Sequence, residues 1–338
     1  MQRKPDTPTI TTVARLANVS VASASRALNG IKTQPETLAR VTAAAAAVGY
    51  VPNAAARSLR SRRTGQVAFA MPDVANPVYT TMVGSIQRVM QAQGRRLLLH
   101  STGSDAEDEL SLLDDLKQRY VDGLILCSLD FTPAHVEAVK NAAVPVTIIG
   151  RAPKDAGVDT VPGNSRRGAA EAVRHLHSLG RRRIALLNGP EGTAPGTSRK
   201  LGYLDALRSC GLERDETLIE VAADFMLDPG RDAAERLLAR TRPDAIFCAN
   251  DLLALGTLSA LREAGLEVPR DVAVVGMDDT SLAAVSWPPL TSVDLGSYER
   301  AQLAAELLLK RIERPGRRPS SVGVEPRLVV RESCGASA

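Results

Sequence analysis

Between Ser20 and Asn29 the chain reads SVASASRALN, a run of small side chains interrupted by one charge, Arg26. On a helix, the hydroxyls of Ser20, Ser23 and Ser25 are short donors suited to phosphate oxygens. Arg26 carries a planar fork of donors that matches O6 and N7 of guanine, while Val21 and Ala22 suit thymine methyls. Ala24 and Leu28 are left to pack inward. Small side chains let such a helix approach a duplex closely, so this stretch points to the reading of DNA.

Other groupings of reactive side chains point away from catalysis. His175 and His177 stand two apart on a predicted helix, so their rings diverge, cannot easily share a metal and read as surface. Asp114 and Asp115 read as a solvated helix face. The stretch GPEGTAPGTSRK, from Gly189 to Lys200, looks like a phosphate loop but lacks a lysine at the required spacing, and reads as the edge of a cleft. No Ser/His/Asp or Cys/His arrangement is linked by a motif. Cys127, Cys210, Cys248 and Cys334 have no C-x-x-C spacing, as expected of reduced cysteines rather than a zinc site. No enzyme activity, cofactor or metal is therefore expected.

The reading helix needs elements to hold it. Thr9 can cap a helix through Val13, Leu16 and Ala17, and Ser20 can cap the next, ending near Asn29 and Gly30. Only Asn18 and Val19 separate the two, and Asn enters the left-handed region that a tight turn requires. A third helix is predicted from Pro35 through ETLARVTAAAAAV to Gly49. Two helices across a tight turn are the pattern of a helix-turn-helix, whose second helix enters the major groove. Charge agrees: residues 1–63 hold ten Lys/Arg against two Asp/Glu, a net of +8, while the rest of the chain nets −4. A basic head on a mildly acidic body suits a head that meets a polyanion. Beyond it, Asn53 can cap one short helix through Ser61, too short to be stable alone, followed by the basic linker Arg62-Arg63 and Gly65.

From Gln66 the pattern becomes short apolar strands alternating with amphipathic helices: VAFAM, RLLLH, GLILC, VTIIG, RIALLN, AIFCA and VAVVGM, with helices such as Ser165 to Leu179 and Asp251 to Ala264. This alternation predicts doubly wound parallel sheets divided into two similar lobes, with a ligand at the carboxyl ends of the strands between them. Apolar residues at 44% and charged residues at 24% argue against wholesale disorder. No apolar run approaches the roughly 18 residues of a membrane span. The polar start MQRKPDTPT lacks a secretory signal, so a cytoplasmic, nucleoid-associated protein is expected.

Read in order, TITTVARLANVSVASASRALNG, GYVPNAAARSLRS, MPDVANPVY and GMDDT resemble the LacI/GalR family of bacterial transcription regulators, from about Thr9 to Arg331. The resemblance implies an N-terminal all-α helix-turn-helix domain (1–52), a hinge helix and linker (53–64), and an α/β, periplasmic-binding-protein-like, two-lobed domain with parallel sheets (65–338) for effector binding and dimerisation. It implies base reading by Val21, Ala22 and Arg26, and phosphate contacts from Ser23, Ser25 and Asn29, alongside Ser20. It further implies that Leu59 wedges into the minor groove of a palindromic operator, flanked by Arg57 and Arg60, and that two copies of the chain bind as a homodimer. In the body it implies effector contacts from Tyr79, Arg199, Phe225, Asn250 and Asp278, groups suited to a sugar or sugar derivative.

This chain departs from the family pattern at several points. Asn18 stands where Gly is usual, Ser23-Ala24 where a Thr-Val pair is common, and Gln34 where a capping Ser is usual, a loss that Pro35 only partly offsets. In the cleft, Gly150 and Gly163 replace common aspartates and Leu295 a common polar residue, so an effector other than a free hexose is expected. Arg151, beside Gly150, leaves room for an acidic group. The expectation is an allosteric, operator-binding regulator, most simply a repressor. The alternative is an intracellular solute-binding protein with a basic N-terminal extension, which the helix-turn-helix and hinge pattern argue against.

Overall fold

A computed structural model describes residues 8–30, 32–51, 63–103 and 105–336. The chain forms two compact units, Met1–Thr64 and Gly65–Ala338. In the first, α1 (Ile10–Leu16) starts at Thr9, whose side chain accepts from the Thr12 N–H while Thr12 reaches back to the cap. Asn18 takes φ 50°, the left-handed turn expected of it. α2 (Val21–Leu28) is capped by Ser20, and α3 (Pro35–Ala47) opens at Gln34 with no side-chain cap.

These three helices meet over Val13, Val41 and six alanines: Ala14, Ala17, Ala24, Ala27, Ala44 and Ala45. Alanine favours helix and lets axes approach, but each buries little apolar area, so the caps carry a larger share of the stability than in a leucine core. Leu28 is only partly buried and packs against this cluster. Leu16, on α1, is 55% exposed.

The second unit has two lobes. The first lobe holds β1 (Gln66–Met71), α4 (Pro77–Ala92), β2 (Arg96–Ser101), α5 (Ala106–Asp115), β3 (Leu124–Leu126), α6 (Pro133–Lys140), β4 (Val146–Ile148) and β5 (Asp159–Thr160). The second holds α7 (Ser165–Ser178), β6 (Ile184–Asn188), α8 (Ala194–Ser209), β7 (Ile219–Val221), α9 (Leu227–Arg240), β8 (Ala245–Cys248), α10 (Asp251–Glu263), β9 (Ala273–Met277), α11 (Ser281–Val285) and β10 (Thr291–Asp294). The chain then returns to the first lobe as α12 (Ser297–Glu313) and ends in the second with β11 (Arg327–Val329). The sheet orders are β2-β1-β3-β4-β5 and β11-β10-β9-β8-β6-β7. All pairs are parallel except β10 with β11.

Helices cover both faces of each sheet, so β1 and β9 are apolar and buried almost throughout. The alternation in sequence indicates two lobes but not that each is built from separated pieces. α12 packs Ala301, Ala305 and Leu308 against Ile86 and Phe69 of the first lobe. A third crossing is marked by isolated bridges between Thr160 and Ser321 and between Gly163 and Val324. Buried Asp159 fastens this region, accepting from Arg311 Nε at 2.7 Å and from the Ser320 N–H at 2.9 Å.

Candidate functional site

On α2, Ala24 and Ala27 are buried, while Val21, Ala22, Arg26 and Asn29 are exposed. Ser20 Oγ accepts from the Ser23 N–H at 3.1 Å, and Arg26 Nη2 donates to Ser23 Oγ at 3.3 Å. Asn29 Nδ2 donates to the Ser25 carbonyl at 2.7 Å. Ser20, Ser23 and Arg26 thus form one bonded group on the helix and Ser25 with Asn29 a second, and among the described residues the guanidinium is held by one long bond that an outside acceptor can displace. Arg57, Leu59 and Arg60 lie outside the described residues.

In the second unit, the carboxyl ends of strands from both lobes surround a cavity of about 480 Å³. Tyr79, Arg199, Phe225, Asn250 and Asp278 all line it. Tyr79 comes from α4 and Arg199 from α8, Phe225 from the loop after β7, and Asn250 and Asp278 from just beyond β8 and β9. Arg199, 7% exposed, places Nη2 3.4 Å from Asp278 Oδ1 and its Cζ 5.7 Å from the centre of the Phe225 ring. Its Nε is buried without a partner. Asn250 is already engaged: Oδ1 caps α10 through the Leu253 N–H at 2.9 Å, and Nδ2 donates to the Phe225 carbonyl at 2.9 Å. One amide hydrogen remains for a ligand.

The turn that presents Asp278 is held from below. Asp278 takes φ 105° and Asp279 φ 47°, backbone conformations costly for side-chain-bearing residues. Buried Asp251 accepts from the Thr280 N–H at 2.6 Å and from Ser292 Oγ at 2.5 Å, and Arg331 pairs with Asp279 at 2.7 Å. Burial pushes the Asp251 carboxyl up to about 7, with the Asp278 charge adding to the rise. The native state therefore holds this proton more tightly than the unfolded chain. The resulting stability is complete below the ordinary carboxyl range and is lost as pH rises through about 7. Asp251→Asn keeps an acceptor for Thr280 and cannot ionise. Relative to it, the wild type should lose on the order of 2–4 kcal/mol between pH 4 and 8, measured by urea denaturation. Parallel pH profiles for the two proteins would refute the assignment.

These two sites match known proteins. The model for "Bacterial regulatory proteins, lacI family" matches residues 9–53, and that for a "Periplasmic binding protein-like domain" matches residues 173–334. The ribose operon repressor of Escherichia coli K12 is 34% identical over 96% of this chain and 99% of its own. The chain belongs to the LacI family. A solved structure of the complex of the transcriptional regulator CelR with cellobiose superposes with a TM-score of 0.74 at 34% identity, covering 96% of this chain and 99% of that one. The lac repressor dimer bound to operator and the anti-inducer ONPF gives 0.86 at 25% identity, covering 98% and 100%. As a LacI-family member the chain is a DNA-binding transcriptional regulator, with a helix-turn-helix domain and a two-lobed α/β domain.

Within this LacI-family frame the cleft also contains residues that sequence reasoning did not single out. Arg300, on the first turn of α12, lines it with its Nε buried and unpartnered. No motif flags this residue, because α12 joins the first lobe only through the discontinuous topology. Cys127, at the end of β3, also lines the cleft, and burial pushes its thiol up to about 11. Arg151, Gly150, Gly163 and Leu295 line it as well. The Gly189–Lys200 stretch lies at its edge through Pro190 and Thr193. Asp114 and Asp115 are exposed, but His175 is half-buried, its Nε2 3.3 Å from Cys334 Sγ. Among the described residues no cluster of three metal-ligating side chains occurs, and no helix is long and apolar enough to cross a membrane.

Proposed function

We propose that this regulator binds a palindromic operator as a homodimer, and that a small hydroxylated effector, a sugar or sugar derivative, controls its affinity by occupying the cleft. The observation that carries this reading is the convergence of Arg199, Asp278, Asn250, Tyr79 and Phe225 on one cavity between two lobes. Carboxylate, amide and guanidinium together satisfy hydroxyls in fixed directions, and the aromatic rings supply apolar faces. The names of its relatives support the class, since one is a ribose operon repressor and another was solved with cellobiose. Exposed Leu98 and Leu99, on the edge strand β2, offer apolar area to a second copy. Two copies related by a two-fold axis read two half-sites. Readout falls to Val21, Ala22 and Arg26, with Ser20, Ser23, Ser25 and Asn29 on phosphates. For Arg57, Leu59 and Arg60 the assignment to DNA rests on sequence resemblance.

Arg26→Ala tests the DNA half of this reading. Its side chain packs on nothing essential, so folding should be unchanged, while affinity for the operator should fall by about 1–3 kcal/mol. Fluorescence anisotropy against operator and scrambled duplexes gives the result. Equal losses on both would remove Arg26 from base recognition.

A further inference from the structure

The deep part of the cleft holds more positive charge than its own side chains neutralise. Arg199 and Arg300 both reach it with a buried, unpartnered Nε, and among the described residues Arg300 enters no ion pair. Its electrostatic neighbours are Cys127, Asp278, Arg199 and Tyr79. Burial drives the Cys127 and Tyr79 hydrogens to leave only at strongly alkaline pH, so both groups are neutral. Among the described residues Asp278 is the single buried carboxylate lining the cavity, and it already faces Arg199 at 3.4 Å.

Among the described residues, nothing else in the wall supplies an anion to Arg300. A side chain at Gly163 would begin 3.0 Å from Arg300 Nη1, so the glycine makes room for the guanidinium and brings no acceptor. Leu295 is apolar. Asp73 and Asp224, which also line the cavity, are not buried, and each holds a backbone N–H of its own turn, from Ala75 at 2.8 Å and Met226 at 2.7 Å. A guanidinium does not shed its proton to escape burial, so its unmet donors call for an acceptor brought from outside.

Building on the effector reading of this cleft, we propose that the effector carries an anionic group, a carboxylate or a phosphate, seated on Arg300, with its hydroxyls on the Arg199–Asp278 pair and Asn250. Arg300 is then a specificity-determining residue that separates sugar acids and sugar phosphates from their neutral parents.

The test is calorimetry on the full-length protein with matched series: D-glucose, D-gluconate, D-glucuronate and D-glucose 6-phosphate, then D-ribose and D-ribose 5-phosphate. One charged member should bind at least about 10-fold more tightly than its neutral parent, and the acid and phosphate arms identify which anion is used. Arg300→Leu should remove that preference, weakening the charged ligand about 10- to 100-fold and leaving the parent within about 3-fold. Arg300→Lys should restore part of it. Unchanged operator affinity and melting temperature establish that the variants are folded. Tight binding of a neutral sugar, or a preference for charge that survives Arg300→Leu, would overturn the inference and leave the sugar reading standing. Binding of none of the series would overturn both.

Discussion

Asp278→Asn is expected to weaken effector binding by about 30- to 150-fold, or about 2–3 kcal/mol, while operator affinity without effector stays unchanged. The carboxyl group offers two oxygens to ligand hydroxyls and faces Arg199 at 3.4 Å, whose charge works against the upward push of burial on its pKa; the amide offers one neutral acceptor and balances nothing. Asparagine is the informative replacement because Asp278 sits at φ 105°, where Asn is tolerated better than most residues. Asp278→Ala should lose at least as much affinity and should also lower the melting temperature, since it adds backbone strain and strands a buried guanidinium. Calorimetry with the tightest ligand of the sugar series, beside anisotropy with operator, separates the two functions. An unchanged effector affinity in Asp278→Asn would remove the carboxylate from the site.

How much of this was legible in the sequence depends on whether local chemistry or the return path of the chain decides the feature. Thr9, Ser20 and the left-handed Asn18 are local: each side chain satisfies or shapes backbone within three residues, and each does in the structure what its type predicts. The missing cap at Gln34 is local too. Asn250 and Asp278, which the family resemblance implies as effector contacts, follow β8 and β9 directly, in keeping with the rule that ligand groups gather at strand carboxyl ends. Arg300 obeys no such rule. It stands on a helix that follows the last parallel strand of one lobe and packs on the other, a connection that periodicity cannot assign. The glycines illustrate the same division. Gly163 looks like a lost aspartate until Arg300 is placed beside it, and Gly150 looks likewise until its φ of 144° shows a backbone that disfavours any side chain. Leu16 stays outside because the α1–α2–α3 core is built from alanines, and such close helices leave no room for its larger side chain.

Gly202→Ala offers the sharpest contrast between local and tertiary rules, because they disagree on its sign. Gly202 lies inside α8, where helix propensity alone favours alanine by about 1 kcal/mol. A methyl group there would meet the Arg166 carbonyl oxygen at 2.1 Å and the Ala169 Cβ at 2.8 Å, both on α7. Backbone cannot swing aside as a flexible side chain can, so the helices must separate over a core that contains Ala169, Tyr203 and Ala206. The expected net effect is a loss of about 2–3 kcal/mol, read as a lowered urea midpoint. Gly84→Ala, also within a helix but with nothing inside 4 Å of the added carbon, should move the midpoint slightly upward. Arg199 precedes Gly202 by one turn on the same helix, so forcing α8 away from α7 also displaces the guanidinium in the cleft. Effector affinity should therefore fall in Gly202→Ala and hold in Gly84→Ala. A Gly202→Ala protein as stable as the wild type would show that α7 and α8 are less tightly apposed than their contact implies, and would free the position of Arg199 from this packing.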